Sequence, residues 1–326
     1  MQADHRILSD IEALGDRMAQ VRVQVGRAII GQAEVIEQAL VTLLAGGHML
    51  LVGVPGLGKS RLVETLAVVL GLGTRRVQFT PDLMPADILG SEILDDDAAG
   101  RRFRFLPGPV FCQLLMADEI NRASPRTQSA LLQAMQEGRV AIGGHEHPLP
   151  RPFHVLATQN PIEQEGTYPL PEAQLDRFLL EIQVRYPSLA EERTMLLATT
   201  GAAQEPPQQA MSAAELMAAQ ALIRSVPVGE RVVEAILELV RRTRPEGSDD
   251  AAVAQHVAWG AGPRAAQALM LATRARAILD GRLSPSLDDV AALAPPVLRH
   301  RMALNFSART ETTLDGLIAK LVARIG

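Results

Sequence analysis

One cysteine, Cys112, in a chain of 326 residues excludes an internal disulfide framework and a thiolate zinc cluster. Aromatic residues make up only 3%, which leaves few platforms on which single-stranded bases could stack. No uninterrupted apolar run reaches the ~20 residues that span a bilayer, so membrane insertion is not expected. The opening residues, MQADHRILSDIEAL, carry acids and no apolar stretch of the signal-peptide kind, and the expected address is the cytoplasm. A net charge of -5 argues against a protein built to coat nucleic acid. Internal repeats and long low-complexity tracts are also missing. What remains is a soluble-type chain, 47% apolar, long enough for one large core and a smaller satellite domain.

The first positive signal is HMLLVGVPGLGKS, an apolar segment from Met49 to Val52 that runs into glycines and then a helical pattern from Lys59 to Leu70. It satisfies Gly-x-x-x-x-Gly-Lys-Ser, the phosphate-cradling loop. In such a loop Gly53, Gly56 and Gly58 let backbone N–H groups turn toward a polyphosphate at a helix N-terminus, with Pro55 stiffening the loop and Leu57 inside it. Lys59 reaches the outer phosphates and the Ser60 hydroxyl is placed to ligate Mg2+, with Arg61 following in the first helical turn. ATP and Mg2+ are therefore the expected cofactors.

A second apolar run, LLMADEINR, ends in adjacent carboxylates, Asp118 and Glu119, with no basic residue among the five before them. Alone, such a pair reads as a helix cap or a solvated strand edge. Downstream of a phosphate loop, Asp118 is placed as a metal ligand and Glu119 as the group that polarises an attacking water, which implies hydrolysis. RPFHVLATQNP gives another strand-like run with Thr158, Gln159 and Asn160 where it ends, and ligand groups of open α/β sheets gather at such carboxyl ends. Asn160 is the choice for orienting the water. In LPEAQLDRFLLEIQV, Arg177 ends a short helical segment before a fifth apolar strand.

The ordered set GVPGLGKS, LLMADEINR, VLATQNP, LPEAQLDRF and GAGPRA resembles the AAA+ ATPases, specifically the MoxR family, over roughly residues 25 to 300. The fold this resemblance implies is an α/β P-loop core, a parallel sheet flanked by helices, carrying a C-terminal all-α lid. In family terms Gly53 to Ser60 is Walker A, Asp118 and Glu119 Walker B, Asn160 sensor 1, Arg177 an arginine finger acting on a neighbouring subunit's ATP, and Arg264 sensor 2, brought by the lid to a nucleotide in cis or in trans, a choice the resemblance leaves open because lids are repositioned in this clade. Ile29, Ile30 and Gly31 fall where the family's adenine pocket begins, and Arg122 is a candidate for contact across the subunit interface. Ser60 stands where Thr is commoner and keeps the metal-binding hydroxyl. The resemblance also implies an Mg-dependent ATPase assembled as a hexameric ring. Its work would be chaperone-like remodelling of a client protein alongside a protein with a von Willebrand factor A domain, in maturation of an enzyme complex. Alternatives are a magnesium-chelatase-like motor subunit and a DNA- or transcription-directed ATPase. The latter is opposed by the lack of a GAFTGA loop and of an evident helix-turn-helix.

The expected domains are an N-terminal helical extension over 1–24, the ATPase core over 25–186 and the lid over 187–326. Two hairpin insertions are expected within the core, at about 91–106 and 139–149. The first places Asp97, Ala98, Ala99 and Gly100 at its tip, with acids on one flank and Arg101, Arg102 and Arg104 on the other, positioned to pair across strands. The second turns at Gly143 and Gly144, and its His145 and His147 read as solvated rather than as a metal site. Both resemble hairpins that project toward the central pore in relatives. Beyond Pro187 the patterns are helical. Ser188 and Glu191 form a capping box, and Val232, Val233, Ile236, Leu237 and Val240 recur at core spacing.

Overall fold

The structure, a computed structural model, describes residues 2–97, 100–163, 165–201, 205–246 and 248–325. Ala98 and Ala99, the expected tip of the first hairpin, lie outside them.

The chain opens with α1 (Gln2–Ala28) and α2 (Ala33–Leu44), which lead into β1 (Met49–Val52) and α3 (Lys59–Val69). Then come β2 (Thr74–Gln78), α4 (Pro85–Leu89), the antiparallel pair β3 (Gly90–Asp97) and β4 (Gly100–Pro107), β5 (Leu114–Asp118) and α5 (Pro125–Glu137). A second antiparallel pair, β6 (Arg139–Ile142) and β7 (His145–Pro148), precedes β8 (His154–Gln159), α6 (Glu172–Leu175) and β9 (Leu180–Gln183). Strands β2, β5, β8, β1 and β9 form one sheet in that order, and every neighbouring pair is parallel. Because all five strands point the same way, the loops after β1, β5 and β8 meet at one end of the sheet. The residues before β1 and β9 meet at the other.

Both faces of this sheet are covered, which is why its strands are apolar throughout rather than alternating. Along β5, Leu114 and Met116 face the core shared with α1, α2 and α3, whereas Leu115 and Ala117 face a second core that holds Phe79, Ile88, Leu131 and Phe178. Helix α1 contributes Ile11, Leu14, Met18, Val21 and Val25, a three-four spacing that keeps one stripe against the first core.

The C-terminal half contains α7 (Leu189–Thr200), α8 (Ala213–Ser225), α9 (Glu230–Arg242), α10 (Ala251–His256), α11 (Pro263–Leu279), α12 (Leu287–Leu298) and α13 (Leu314–Val322). A two-stranded ribbon joins β10 (Val257–Trp259) to β11 (Ala303–Leu304). Capping boxes open α7 at Ser188 and Glu191, as read from the sequence, and also α8 and α12. In α9 the core face is Val232, Ala235, Ile236, Leu239 and Val240. Leu237 was expected inside and is 44% exposed, because the helix turns Leu239 toward α11 and α12 instead.

The bundle is tied to α2 through one buried carboxylate. Asp289 receives Arg282 through two bonds of 2.6 Å, Arg276 at 2.7 Å and the Ser286 N–H at 2.7 Å, while Arg276 also holds Glu37 of α2 at 2.7 Å. Burial alone would push the Asp289 carboxyl up, but the Arg282, Ser286 and Arg276 bonds together hold it below the ordinary aspartate range. A depressed folded-state pKa adds stability at pH above the unfolded value of about 3.9, and that contribution is lost as pH falls through the folded value. Asp289→Asn, which leaves Arg276 with Glu37 and Arg282 with Asp280 as their remaining counter-charges, is expected to cost about 1–3 kcal/mol in urea unfolding at pH 7. The deficit should shrink below pH 4.

The two hairpins form at the expected places, and Arg104 pairs with Asp95 across β3 and β4 at 2.9 Å. They also touch each other. The His147 ring stacks on Phe105 with centroids 3.8 Å apart, and Phe105 meets Phe111 edge-on. His147 is therefore half-buried between the insertions and not solvated, whereas His145 is exposed. Among the described residues no helix is long and apolar enough to cross a membrane, and no group of three or more His, Cys, Asp or Glu is placed to hold a metal.

Candidate active site

At the carboxyl end of the sheet, β1 delivers the glycine loop. Gly53 passes so close to the next strand's exit that a Cβ there would lie 2.5 Å from the Val184 carbonyl oxygen. Gly58 caps α3 in the left-handed region at φ 74, and no side chain bonds the helix's first N–H groups. Those N–H groups and the helix dipole form an anion seat. Lys59, the first residue of α3, donates to the Gly53 carbonyl at 2.5 Å. Burial lowers its pKa, and the nearby charges of Asp118 and Glu119 oppose that shift, so the ammonium and both carboxylates share one neighbourhood.

The carboxylates sit at the end of β5, two strands from β1, with β8 between. Asp118 accepts from the Thr158 hydroxyl at 2.5 Å through Oδ1 and from Arg76 at 2.6 Å through Oδ2. Thr158 also accepts from the Glu119 N–H at 2.8 Å. Glu119 has φ 55, making it the only non-glycine with positive φ among the described residues. That conformation is disfavoured for a Glu and stands here because Thr158 clamps it. Gln78 donates to Glu119 Oε2 at 2.7 Å and Arg122 reaches the same oxygen at 3.4 Å. Arg122, expected at a subunit interface, is thus engaged within its own chain, with Glu163 at 3.8 Å as a further partner.

Asn160 follows β8 and so lies between the strand of the glycine loop and the strand of the acids. Its side-chain oxygen accepts from the Ile162 N–H at 3.2 Å, an Asx turn, and its amide nitrogen lies 3.4 Å from Glu163. The sequence pointed to Asn160, but the residue in direct contact with both acids is Thr158. The only available signal was its position two residues earlier, at the end of the same strand. Thr158→Val is expected to lower stability by about 1–3 kcal/mol, since a partly buried N–H and a carboxylate lose their shared partner. It should also reduce kcat more than it raises KM; an unchanged kcat would mean that the Glu119 backbone holds its pose without the hydroxyl.

Beside the loop is a cavity of about 410 Å3 lined by Ile29, Ile30, Gly58, Tyr186, Pro187 and Met195. Its wall is apolar on the side away from the phosphate seat, which suits a flat base. Gln32 fixes this wall to the loop by donating to the Leu57 carbonyl at 2.9 Å, and Arg61 also lines it. Gly31 does not line this cavity. It lies on an adjoining one of about 650 Å3, where its missing side chain lets Glu191 of α7 approach, a Cβ there falling 2.7 Å from that residue's own Cβ.

Arg177 and Arg264 are elsewhere. Both line a cavity of about 480 Å3 at the amino end of the sheet, together with His48, Asp176, Arg224 and Arg301. Arg264 pairs with Asp176 at 3.6 Å, and Arg301 holds the same carboxylate at 2.8 Å. Arg177 donates to the Leu132 carbonyl at 2.5 Å, while its Nε is buried with no hydrogen-bond partner among the described residues. Arg264, left open in the sequence between its own chain's nucleotide and a neighbour's, lies away from its own phosphate loop. Helix α11 packs along α12, α2 and α9, which sets its first turn against the α6–β9 connection. Burial keeps His48 neutral there, with its pKa pushed down to about 3.

A family model described as ATPase family associated with various cellular activities (AAA) matches residues 48–180, and an AAA lid domain model matches residues 249–318. The chain is 46% identical over 289 residues to Chaperone MoxR1 of Mycobacterium tuberculosis, covering 87% of this chain and 75% of that one. It is 33% identical to Protein MoxR of Paracoccus denitrificans, covering 97% and 98% of the two chains. A crystal structure from Cytophaga hutchinsonii, described as an ATPase, superposes with a TM-score of 0.89 at 36% identity and covers 98% of this chain and 96% of its own.

Proposed function

The chain belongs to the MoxR family of AAA+ ATPases, and from that premise we propose an Mg-dependent ATPase whose active site is completed by a neighbouring copy. The observation that carries this is the separation of the charges. Lys59, Asp118 and Glu119 stand at the carboxyl end of the sheet, whereas Arg177 and Arg264 stand at the amino end of the same sheet, out of reach of their own phosphate loop.

In this reading the base enters the cavity by Ile30 and Tyr186, the polyphosphate lies on the N–H groups of α3, and Lys59 exchanges the Gly53 carbonyl for a phosphate oxygen. The Ser60 hydroxyl and Asp118 would hold Mg2+, a sparse donor set of the kind that ion accepts when phosphates and waters supply the rest. Bound there, the ion neutralises charge on the terminal phosphates. Glu119 takes a proton from water that Asn160 orients, with Thr158 fixing the carboxylate's backbone. Arg177 and Arg264 meet the terminal phosphate of the next copy.

We place the core at 25–186, its lid at 187–326 and a helical extension at 1–24. The assembly we propose is a cytoplasmic hexameric ring that remodels a client protein together with a von Willebrand factor A partner during enzyme maturation. The name Chaperone MoxR1 carried by a relative supports the remodelling role, and the paired hairpins are our candidates for client contact. The test is ATP turnover per subunit measured across a range of protein concentrations, with Glu119→Gln as the blank. Specific activity that climbs and saturates supports a shared site. Constant activity from a particle that sizes as a monomer would refute it.

A further inference from the structure

We propose that Arg224 is a further catalytic cation, donated with Arg177 and Arg264 to the polyphosphate bound by the neighbouring copy; the inference rests on the shared-site reading above. Arg224 occupies the last turn of α8, and its side chain lines the cavity that holds Arg177, Arg264 and Arg301.

The charges on that wall do not balance. Four arginines face one carboxylate, Asp176, whose oxygens are already divided between Arg301 and Arg264. Arg301 is buried and spends its remaining N–H groups on the carbonyls of Val297, Phe178 and Leu179, so it serves the fold. Arg224 is exposed and has neither an ion pair nor a hydrogen-bond partner among the described residues. On α11 its charge is felt by another cation, since Arg274 has its pKa lowered by burial and then by the charge of Arg224. Among the described residues the Arg274 Nε is itself buried without a partner, as is that of Arg177. Like charges gathered around a cavity are unfavourable until an anion joins them. The flanking histidines add nothing to the charge, because burial lowers the pKa of both His48 and His300.

A nucleoside polyphosphate fits this excess better than a single side chain. A lone carboxylate would pair with one guanidinium, whereas terminal phosphates present several oxygens in different directions and suit forks converging from α6–β9, α8 and α11. Because Arg224 has no partner to lose, its replacement separates catalysis from folding.

The full-length Arg224→Gln chain is expected to keep its melting temperature and to lose kcat about 10- to 100-fold at saturating protein. Arg224→Lys should recover part of that loss. Mixed with Glu119→Gln subunits, which carry an intact Arg224, Arg224→Gln should regain activity beyond the sum of the separate proteins. A wild-type kcat at saturating protein would overturn the proposal, and so would a loss that mixing does not rescue. A shift only in the protein concentration at half-maximal activity would also overturn it, because that result assigns Arg224 to a neighbour's carboxylate at the interface. Arg177→Ala mixed in parallel separates the two levels. Rescue there with no effect of Arg224→Gln removes only this residue, whereas no rescue of Arg177→Ala removes the shared site and Arg224 with it.

Discussion

Glu119→Gln is expected to lower ATP turnover about 10²–10⁴-fold, the range a positioned general base contributes, while nucleotide binding stays near wild type. The substitution preserves volume, the left-handed backbone at φ 55 and the N–H bond to Thr158. What it removes is the charge, and with it the ability to take a proton. Gln78 and Arg122 both approach Oε2, so the pose of the side chain is set by partners an amide can still partly satisfy. Steady-state phosphate release would be measured beside a titration with a fluorescent ATP analogue. A fall of less than tenfold would mean that another group activates the water. Lost binding would mean that the carboxylate organises the loop through Lys59 rather than acting on water.

Arg177→Ala is expected to cost about 10³-fold or more in turnover, the scale of a guanidinium supplied to a developing phosphate charge, again with ATP binding retained. One complication is built into the fold: Arg177 also donates to the Leu132 carbonyl of α5, so truncation removes a local bond. Mixing resolves it. Glu119→Gln subunits present an intact Arg177 to the intact Glu119 of Arg177→Ala subunits, and activity above the sum of the parts requires a site built from two chains. A purely structural defect would not be repaired by a neighbour, so the absence of rescue would end the shared-site reading.

The parts of the fold and site that could be read in advance are those written in short stretches. Glycine spacing with a strand before and a helix after gave the turn from β1 into α3, and an apolar run ending in two acids gave the strand β5 that ends at Asp118. Hairpin positions followed from turn residues and opposed charges, of which Arg104 and Asp95 are a realised pair. What was missed depends on sheet order and packing. Arg76 reaches Asp118 because β2 lies beside β5, and Thr158 reaches it because β8 lies on the other side; neither adjacency is written in local sequence. The phase of α9 was misjudged at Leu237 because Leu237 and Leu239 flank the same stripe, and only the helices packed against it choose between them. His147 was misread because its partner, Phe105, belongs to a different insertion. Whether Arg264 faces its own chain's loop could not be read from its motif, since its location is set by where the bundle docks on α2.

The parallel sheet, with Asp118 and Glu119 at one end and Arg177 and Arg264 at the other, also bears on symmetry. On the shared-site proposal, a dimer that sets like ends face to face would leave both phosphate loops without a donated cation. In the ring proposed above, contact is heterologous, each copy offering its amino end to the next copy's carboxyl end. Such contacts repeat until the rotation closes into a ring, or they continue as a helical filament. Every copy in a closed ring then has both a donor and an acceptor neighbour, while an open array always ends in one subunit that receives no donated arginine.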